Sequence, residues 1–148
     1  MCIRDSYNKG KKFPTGNFVF DDGGRSEHFP GDKKIGDCAI RACAIGAGKD
    51  YLETMTELFE IGLEIGDLPN SWPTLKTFLE KYGFKKNKPP RDKNGKKISI
   101  RNWAEICPEG SIIVRTRKHL TAIVDNKIRD TWLPEWCVNT WYSKEEIN

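Results

Sequence analysis

Several features are scarce in this 148-residue chain, and each scarcity narrows what it can do. No apolar run approaches the roughly 18 residues needed to cross a bilayer, and the first residues carry no signal-peptide pattern. The expected compartment is therefore the cytoplasm, with no membrane partner. No CxxC pair occurs, which argues against a zinc site; no metal and no cofactor are expected. Cysteine occurs five times without regular spacing. That odd number suits reduced thiols better than a disulfide framework. Histidine occurs twice, at His28 and His119, so any imidazole chemistry falls to one of these two. What is abundant is ordinary: 37% hydrophobic and 31% charged residues, the composition of one globular domain and too apolar for a disordered chain.

The opening MCIRDS looks like the translated adaptor remnant that begins many reading frames from environmental assemblies. On that reading residues 1–6 are an artefact or disordered, Cys2 carries no meaning, and residues 7–148 form a single domain. Four cysteines remain: Cys38, Cys43, Cys107 and Cys137.

Charge is uneven. The segment 85–97, KKNKPPRDKNGKK, holds seven Lys or Arg and one Asp, a local charge of +6 against +4 for the whole chain, so the remainder is −2. Its Pro-Pro and Asn-Gly pairs mark loop and turn. It is either a solvated surface loop or a docking strip for an acidic or phosphate-bearing partner. No specific nucleic-acid partner is expected, because the remainder is net acidic and no nucleic-acid module is visible.

Helices dominate the first half. From Ala39 to Ala47 nearly every residue is apolar or small, with Arg41 the only charge, the pattern of a helix buried on all sides. Asp37 is placed to cap it and to pair with Arg41 four residues on; Gly46 and Gly48 weaken and stop it. A second helix is expected from Asp50, with Glu53 completing a capping box, to about Ile61, with a stripe of Leu52, Met55, Leu58, Phe59 and Gly62. A third runs from Trp72 to Tyr82, with Pro73 in its first turn and an apolar face of Leu75, Phe78, Leu79 and Tyr82. Residues 101–107 suggest one short helical turn. The last third alternates with period two: strands are expected at 111–116, 119–124, 127–132 and 138–142, and NFVF at 17–20 suggests a short strand or arm. Helices followed by an antiparallel sheet give an α+β class.

Cys38 opens the buried helix. The unpaired N–H groups and the macrodipole of a helix N-terminus favour a thiolate, and the thiolate is the nucleophile. Cys43 lies deeper in the same helix and reads as core. A cysteine nucleophile needs a base, and the base needs an orienting group. A two-residue turn at Asp125-Asn126 would pair Val124 with Lys127, Thr121 with Asp130 and His119 with Trp132. Asp130 then shares a face with His119 as its diagonal neighbour, roughly 7 to 8 Å away at the backbone. Asp125 shares the face too but lies about 20 Å along the strand. A three-residue turn would put Asp130 on the other face. His28, in a Gly-rich loop, reads as a loop residue. Trp132, facing His119, is placed to shield the Cys–His pair or line a groove, while Trp136 and Trp141 read as packing.

A cysteine heading a central helix, then much later a histidine on one strand and an acid on the next, resembles the papain-like cysteine peptidases. DDGGR at 21–25, GDCAIRA at 36–42, SWPTLKTFLEKYGF at 71–84 and HLTAIVDNKIRDTW at 119–132 resemble most closely small phage and prophage proteins of that fold. The resemblance implies a papain-like domain in which Cys38 is the nucleophile, His119 the base and Asp130 the orienting acid. Its substrate would be a peptide or another amide-bearing molecule. Papain-like enzymes commonly place a glutamine upstream of the cysteine as an oxyanion-hole donor; this chain contains no glutamine, and six residues before Cys38 stands Asp32, which cannot donate when ionised. The backbone N–H of Cys38 would supply one donor. Gly36, Asp37 and Trp132 are the other oxyanion or positioning candidates. The missing glutamine keeps a second reading open, an inactive fold that captures a small anionic, nucleotide-like ligand or a host protein. Arg25, Lys33, Lys34 and Trp72 are candidates for holding such an anion, although DDGGR reads equally as a simple chain reversal.

Overall fold

A computed structural model describes residues 17–31 and 35–144. The element order is β1 (Phe18–Phe20), α1 (Arg25–His28), α2 (Cys38–Ala47), α3 (Tyr51–Ile65), α4 (Trp72–Lys81), β2 (Phe84–Asn87), α5 (Ile100–Ile106), β3 (Ser111–Arg115), β4 (Leu120–Val124), β5 (Lys127–Asp130) and β6 (Thr140–Lys144). The class is α+β, as expected. The strands form one sheet in the order β1-β5-β4-β3-β6-β2.

Two features of the sheet depart from the sequence reading. It is mixed rather than antiparallel, because β1 runs parallel to β5, pairing Phe20 with Asp130. The basic segment is also not all loop. Its first residues form β2, which pairs antiparallel with β6 from Phe84↔Lys144 to Asn87↔Trp141. Strand pairing overrides the loop-forming composition here because Phe84 is a buried anchor and the lysines beside it point to water from an edge strand, where charge is tolerated. Residues 91–97 are exposed and turn back through an Arg91–Lys97 bridge.

Alternation along the strands divides the core in two. Ile113, Leu120, Ala122 and Tyr142 pack with α2, α3 and α4. Ile112, Val114, Ile123 and Ile128 pack beneath α5 on Ile100, Trp103, Ala104 and Cys107. Helix α2 sits at the centre, against β3, β4 and β5 as well as α3 and α4. Gly46 is what allows that approach. A Cβ there would lie 2.4 Å from Cδ1 of the fully buried Ile113. So Gly46 lies inside the helix as a packing notch, while the stop is Gly48, left-handed at φ 66, where glycine carries no Cβ penalty.

Helix α3 is one turn longer than expected and rotated. Its buried residues are Tyr51, Thr54, Leu58, Ile61 and Gly62, whereas Leu52 and Phe59 are exposed. Asp50 does cap it, accepting from the N–H groups of Leu52 and Glu53. Helix α4 has the expected face, with Leu75, Phe78 and Leu79 buried. No helix among the described residues is long and apolar enough to cross a membrane.

Candidate active site

The site begins at the hairpin joining β4 and β5. Asp125 and Asn126 both take positive φ, 48° and 65°, the geometry of a two-residue type I′ turn, and Asp and Asn are the non-glycine residues that tolerate it best. The register follows as expected: Val124 opposite Lys127, Ile123 opposite Ile128, Ala122 opposite Arg129. His119 and Asp130 therefore fall together, and Nε2 of the His119 ring lies 2.6 Å from Oδ2 of Asp130. The other ring nitrogen, Nδ1, is left for Cys38, whose thiol hydrogen-bonds the ring. All three residues are buried. The chain Cys38–His119–Asp130 thus joins the first residue of α2 to the start of β4 and the end of β5.

Electrostatics at this chain favour a charged imidazole. Burial alone would lower the His119 pKa. The hydrogen bonds and charges of Asp130 and Cys38 outweigh it and raise the value to about 9. Burial likewise works against the Asp130 carboxylate, but His119 and the Arg41 guanidinium hold it below the ordinary carboxylate range. The protonated imidazole is stabilised by folding from its ordinary value of 6.5 up to about 9. Its contribution to stability is therefore complete below pH 6.5 and lost as pH rises through 9. Thermal midpoints are expected to fall across that window and to fall clearly less in His119→Ala. Equal slopes in the two proteins would refute the coupling.

A second layer holds Asp130. Arg41, buried in α2, donates Nη2 to Oδ1 of Asp130 at 3.2 Å and Nη1 to Oδ1 of Asp37. The other Asp37 oxygen accepts from the Tyr51 hydroxyl at 2.8 Å, and that hydroxyl accepts from Nη1 of Arg25 at 2.9 Å. Burial and the bond to Asp37 push the Tyr51 phenol up to about 12, so it stays a proton donor. The DDGGR segment is the expected turn: Gly23 and Gly24 have φ 72° and 92° and donate their N–H groups to the side chains of Asp21 and Asp22. A Cβ on Gly23 would approach the Arg41 Cα to 3.2 Å, so this turn closes directly over the guanidinium-bearing residue.

These bonds bear on the sequence expectations for Asp37, Arg25 and His28. Asp37 pairs with Arg41 as expected, but its side chain makes no capping bond to α2, since both oxygens serve Arg41 and Tyr51. For the same reason it offers no oxyanion donor. Arg25 is held by the Tyr51 hydroxyl and lies over the Phe29 and Tyr51 rings. His28 takes no part either, being 2.7 Å from the α3 cap Asp50. Together with Glu27 these two form the one group of potential metal ligands among the described residues, and their bonds are already those of a cap. Lys33 and Lys34 lie outside the described residues.

Trp132 is buried with its ring centroid 4.7 Å from that of His119, and Trp136, edge-on to Trp132 at 5.6 Å, lies 6.2 Å from the same imidazole. Two indoles walling the imidazole exclude water and strengthen its bond to Asp130. Trp132 is thus a shielding residue, and it does not line the open cleft. Cys43 is fully buried, and burial raises its thiol pKa strongly; Cys107 is pushed up to about 11 by burial. Both are inert core.

The cleft beside the thiol has a volume of about 500 Å³ and is lined by Gly36, Cys38, Ala39 and Trp72 on one side and by the Arg115–Leu120 stretch on the other. Gly36 and Trp72 thus both line the cleft. Asp37 makes no side-chain cap on α2, and Cys38 and Ala39 of its first turn line this cleft, an arrangement suited to a developing oxyanion. Sequence reasoning missed the opposite wall, which contributes Arg115, Arg117 and Lys118. The one available signal was the RTRKH run directly before the histidine. No residue of 85–97 lines this cleft among the described residues. No family model, curated protein or solved structure matches this chain.

Proposed function

We propose that this chain is a papain-like cysteine hydrolase acting on amide bonds, of phage or prophage origin as its motifs suggest. The observation that carries the reading is the buried relay in which the thiol of Cys38, at the head of α2, bonds His119, and His119 bonds Asp130 at 2.6 Å.

The chemistry follows from the geometry. His119 holds the proton of the Cys38 thiol, and Asp130 fixes the ring so that Nδ1 faces the sulfur. The thiolate attacks the carbonyl carbon, forming a C–S bond, while the first-turn N–H groups of α2 receive the oxyanion. The C–N bond then breaks as the imidazolium gives its proton to the departing amine. Water, deprotonated by His119, attacks the thioester; a C–O bond forms, the C–S bond breaks, and the thiolate returns. Because the amine must be protonated by His119, hydrolysis falls on the alkaline side as the ring loses its proton near pH 9.

The test is a panel of peptidyl aminocoumarin amides. Fluorophore release by the native protein, with a transient acyl adduct mapped to Cys38 and both lost in Cys38→Ala, is the expected result. A second reading is favoured by the cationic wall of the cleft: capture of a small anion without turnover. No release and no adduct, together with a raised melting temperature in inorganic phosphate or a nucleotide, would replace the first reading by the second.

A further inference from the structure

The cleft carries a charge that the relay does not use. Arg115, Arg117 and Lys118 line it, and no carboxylate does so among the described residues. Their placement is dictated by the β3–β4 hairpin. Thr116 donates its backbone N–H to the His119 carbonyl at 2.9 Å, so Arg117 and Lys118 are the two residues of the tip, and both are exposed. The chain then enters His119 directly. At roughly 3.3 Å per residue, the two cations stand within a residue or two of the general base along the backbone.

Arg115 is held differently. Its guanidinium carbon lies over the Trp72 ring, 3.9 Å from the centroid. Stacking covers one face of the guanidinium and leaves the planar edge of N–H donors to bind in the plane. That edge matches a carboxylate, which it can take in a two-bond fork. Neither Arg115 nor Arg117 forms an ion pair among the described residues. Buried cations elsewhere in this protein are satisfied internally, as Arg41 is by Asp37 and Asp130. The two arginines therefore present positive charge toward whatever lies over the thiol.

We propose that the site selects acidic peptides, with a side-chain carboxylate of the substrate held by Arg115 and Arg117 next to the amide that Cys38 attacks. This rests on the hydrolase reading and names its substrate class. A peptide fits better than a compact anion because the lining runs from Asn70 and Trp72 past Cys38 to the exposed hairpin tip, an open trough rather than a closed chamber. The stacked arginine would hold one residue of an extended chain while the backbone carbonyl beside it reaches the helix N-terminus.

The experiment uses three thiol-trapping peptide probes, identical except for Asp, Ala or Lys at the residue adjoining the reactive carbonyl. Labelling rates at Cys38 are read by mass spectrometry, beside the rate with iodoacetamide. The expected result is that the Asp probe labels about tenfold faster than the Ala probe and faster still than the Lys probe. The advantage shrinks at high salt. Arg115→Ala reduces the Asp-to-Ala ratio toward one. Arg117→Glu, at an exposed position where folding is unaffected, moves the preference toward the Lys probe. An iodoacetamide-activated Cys38 that labels equally with all three probes would overturn the acidic-peptide proposal and leave the hydrolase reading standing. Absence of activation toward iodoacetamide would remove the hydrolase reading itself, and the proposal with it. Protection of Cys38 by inorganic phosphate without any Asp preference would also overturn it, in favour of small-anion capture.

Discussion

Replacing His119 by alanine is expected to move the pH midpoint of Cys38 alkylation by iodoacetamide from well below the free-thiol value to roughly 8.5 or above. Amide hydrolysis should fall by about 10²- to 10⁴-fold. The native imidazole bonds the sulfur and keeps its own proton to about pH 9. An imidazolium held beside the sulfur favours the thiolate of Cys38. Removing the ring removes the cation and leaves Cys38 in a buried setting beside Trp132, where desolvation favours the neutral thiol. The N-terminal dipole of α2 remains and offsets part of that loss. Cys43 and Cys107 provide internal standards in the same sample, since burial raises both thiols. If the profile of Cys38 is the same with and without His119, the thiol is not activated by the ring, and the relay is a structural contact only.

The second large effect concerns stability. Arg41→Leu is expected to destabilise the fold by about 3 to 5 kcal/mol, because it strands the charge of two buried carboxylates at once. In a chain of this size that is a drop of about 10 °C in melting temperature. Arg41 is 4% exposed, and its partners Asp37 and Asp130 are 4% and 3% exposed; leucine replaces the volume but none of the charge. Asp37 keeps the Tyr51 hydroxyl and Asp130 keeps His119, so neither loses every partner. Adding Asp37→Asn to Arg41→Leu should recover part of the loss, since one of the stranded charges is gone. Arg41→Leu should also shift the Cys38 alkylation profile to higher pH, because a less firmly ionised Asp130 supports the imidazolium less well. A loss below about 1 kcal/mol in urea unfolding would mean that Asp130 is held by His119 and the backbone alone.

Much of this site was legible because it depends on local rules. The hairpin register came from the turn preference of Asp125-Asn126 and the period-two alternation, which together place His119 and Asp130 on one face. The buried character of α2 came from its composition, the cap at Asp50 from its spacing to Glu53, and the pairing of Asp37 with Arg41 from helical spacing. The same local rules misplaced the face of α3. Leu52 and Phe59 are the larger apolar residues, yet Tyr51 and Thr54 turn inward. Tyr51 is drawn in by Asp37, just before α2, and Thr54 satisfies itself on the Asp50 carbonyl.

What the sequence by itself determined is thus most of the elements, though not α1 or β2, the helix-head position of Cys38 and the hairpin that brings an acid to His119. Only the tertiary structure decided what those residues meet. Arg41 reaches Asp130 across 89 residues of chain and Arg129 reaches Asp21 across 108; β1 supports Asp130 by parallel pairing from the other end of the chain. Arg115 finds Trp72 only because β3 and α4 come together. Turn chemistry and periodicity act over a few residues, through steric and hydrogen-bonding limits on neighbouring φ and ψ. Charge pairing, stacking and the shape of a cleft act through space between segments whose distance in sequence carries no signal. The relay could therefore be read from the chain in part, whereas the placement of Arg115 over Trp72 in the cleft wall became visible only once the chain was folded.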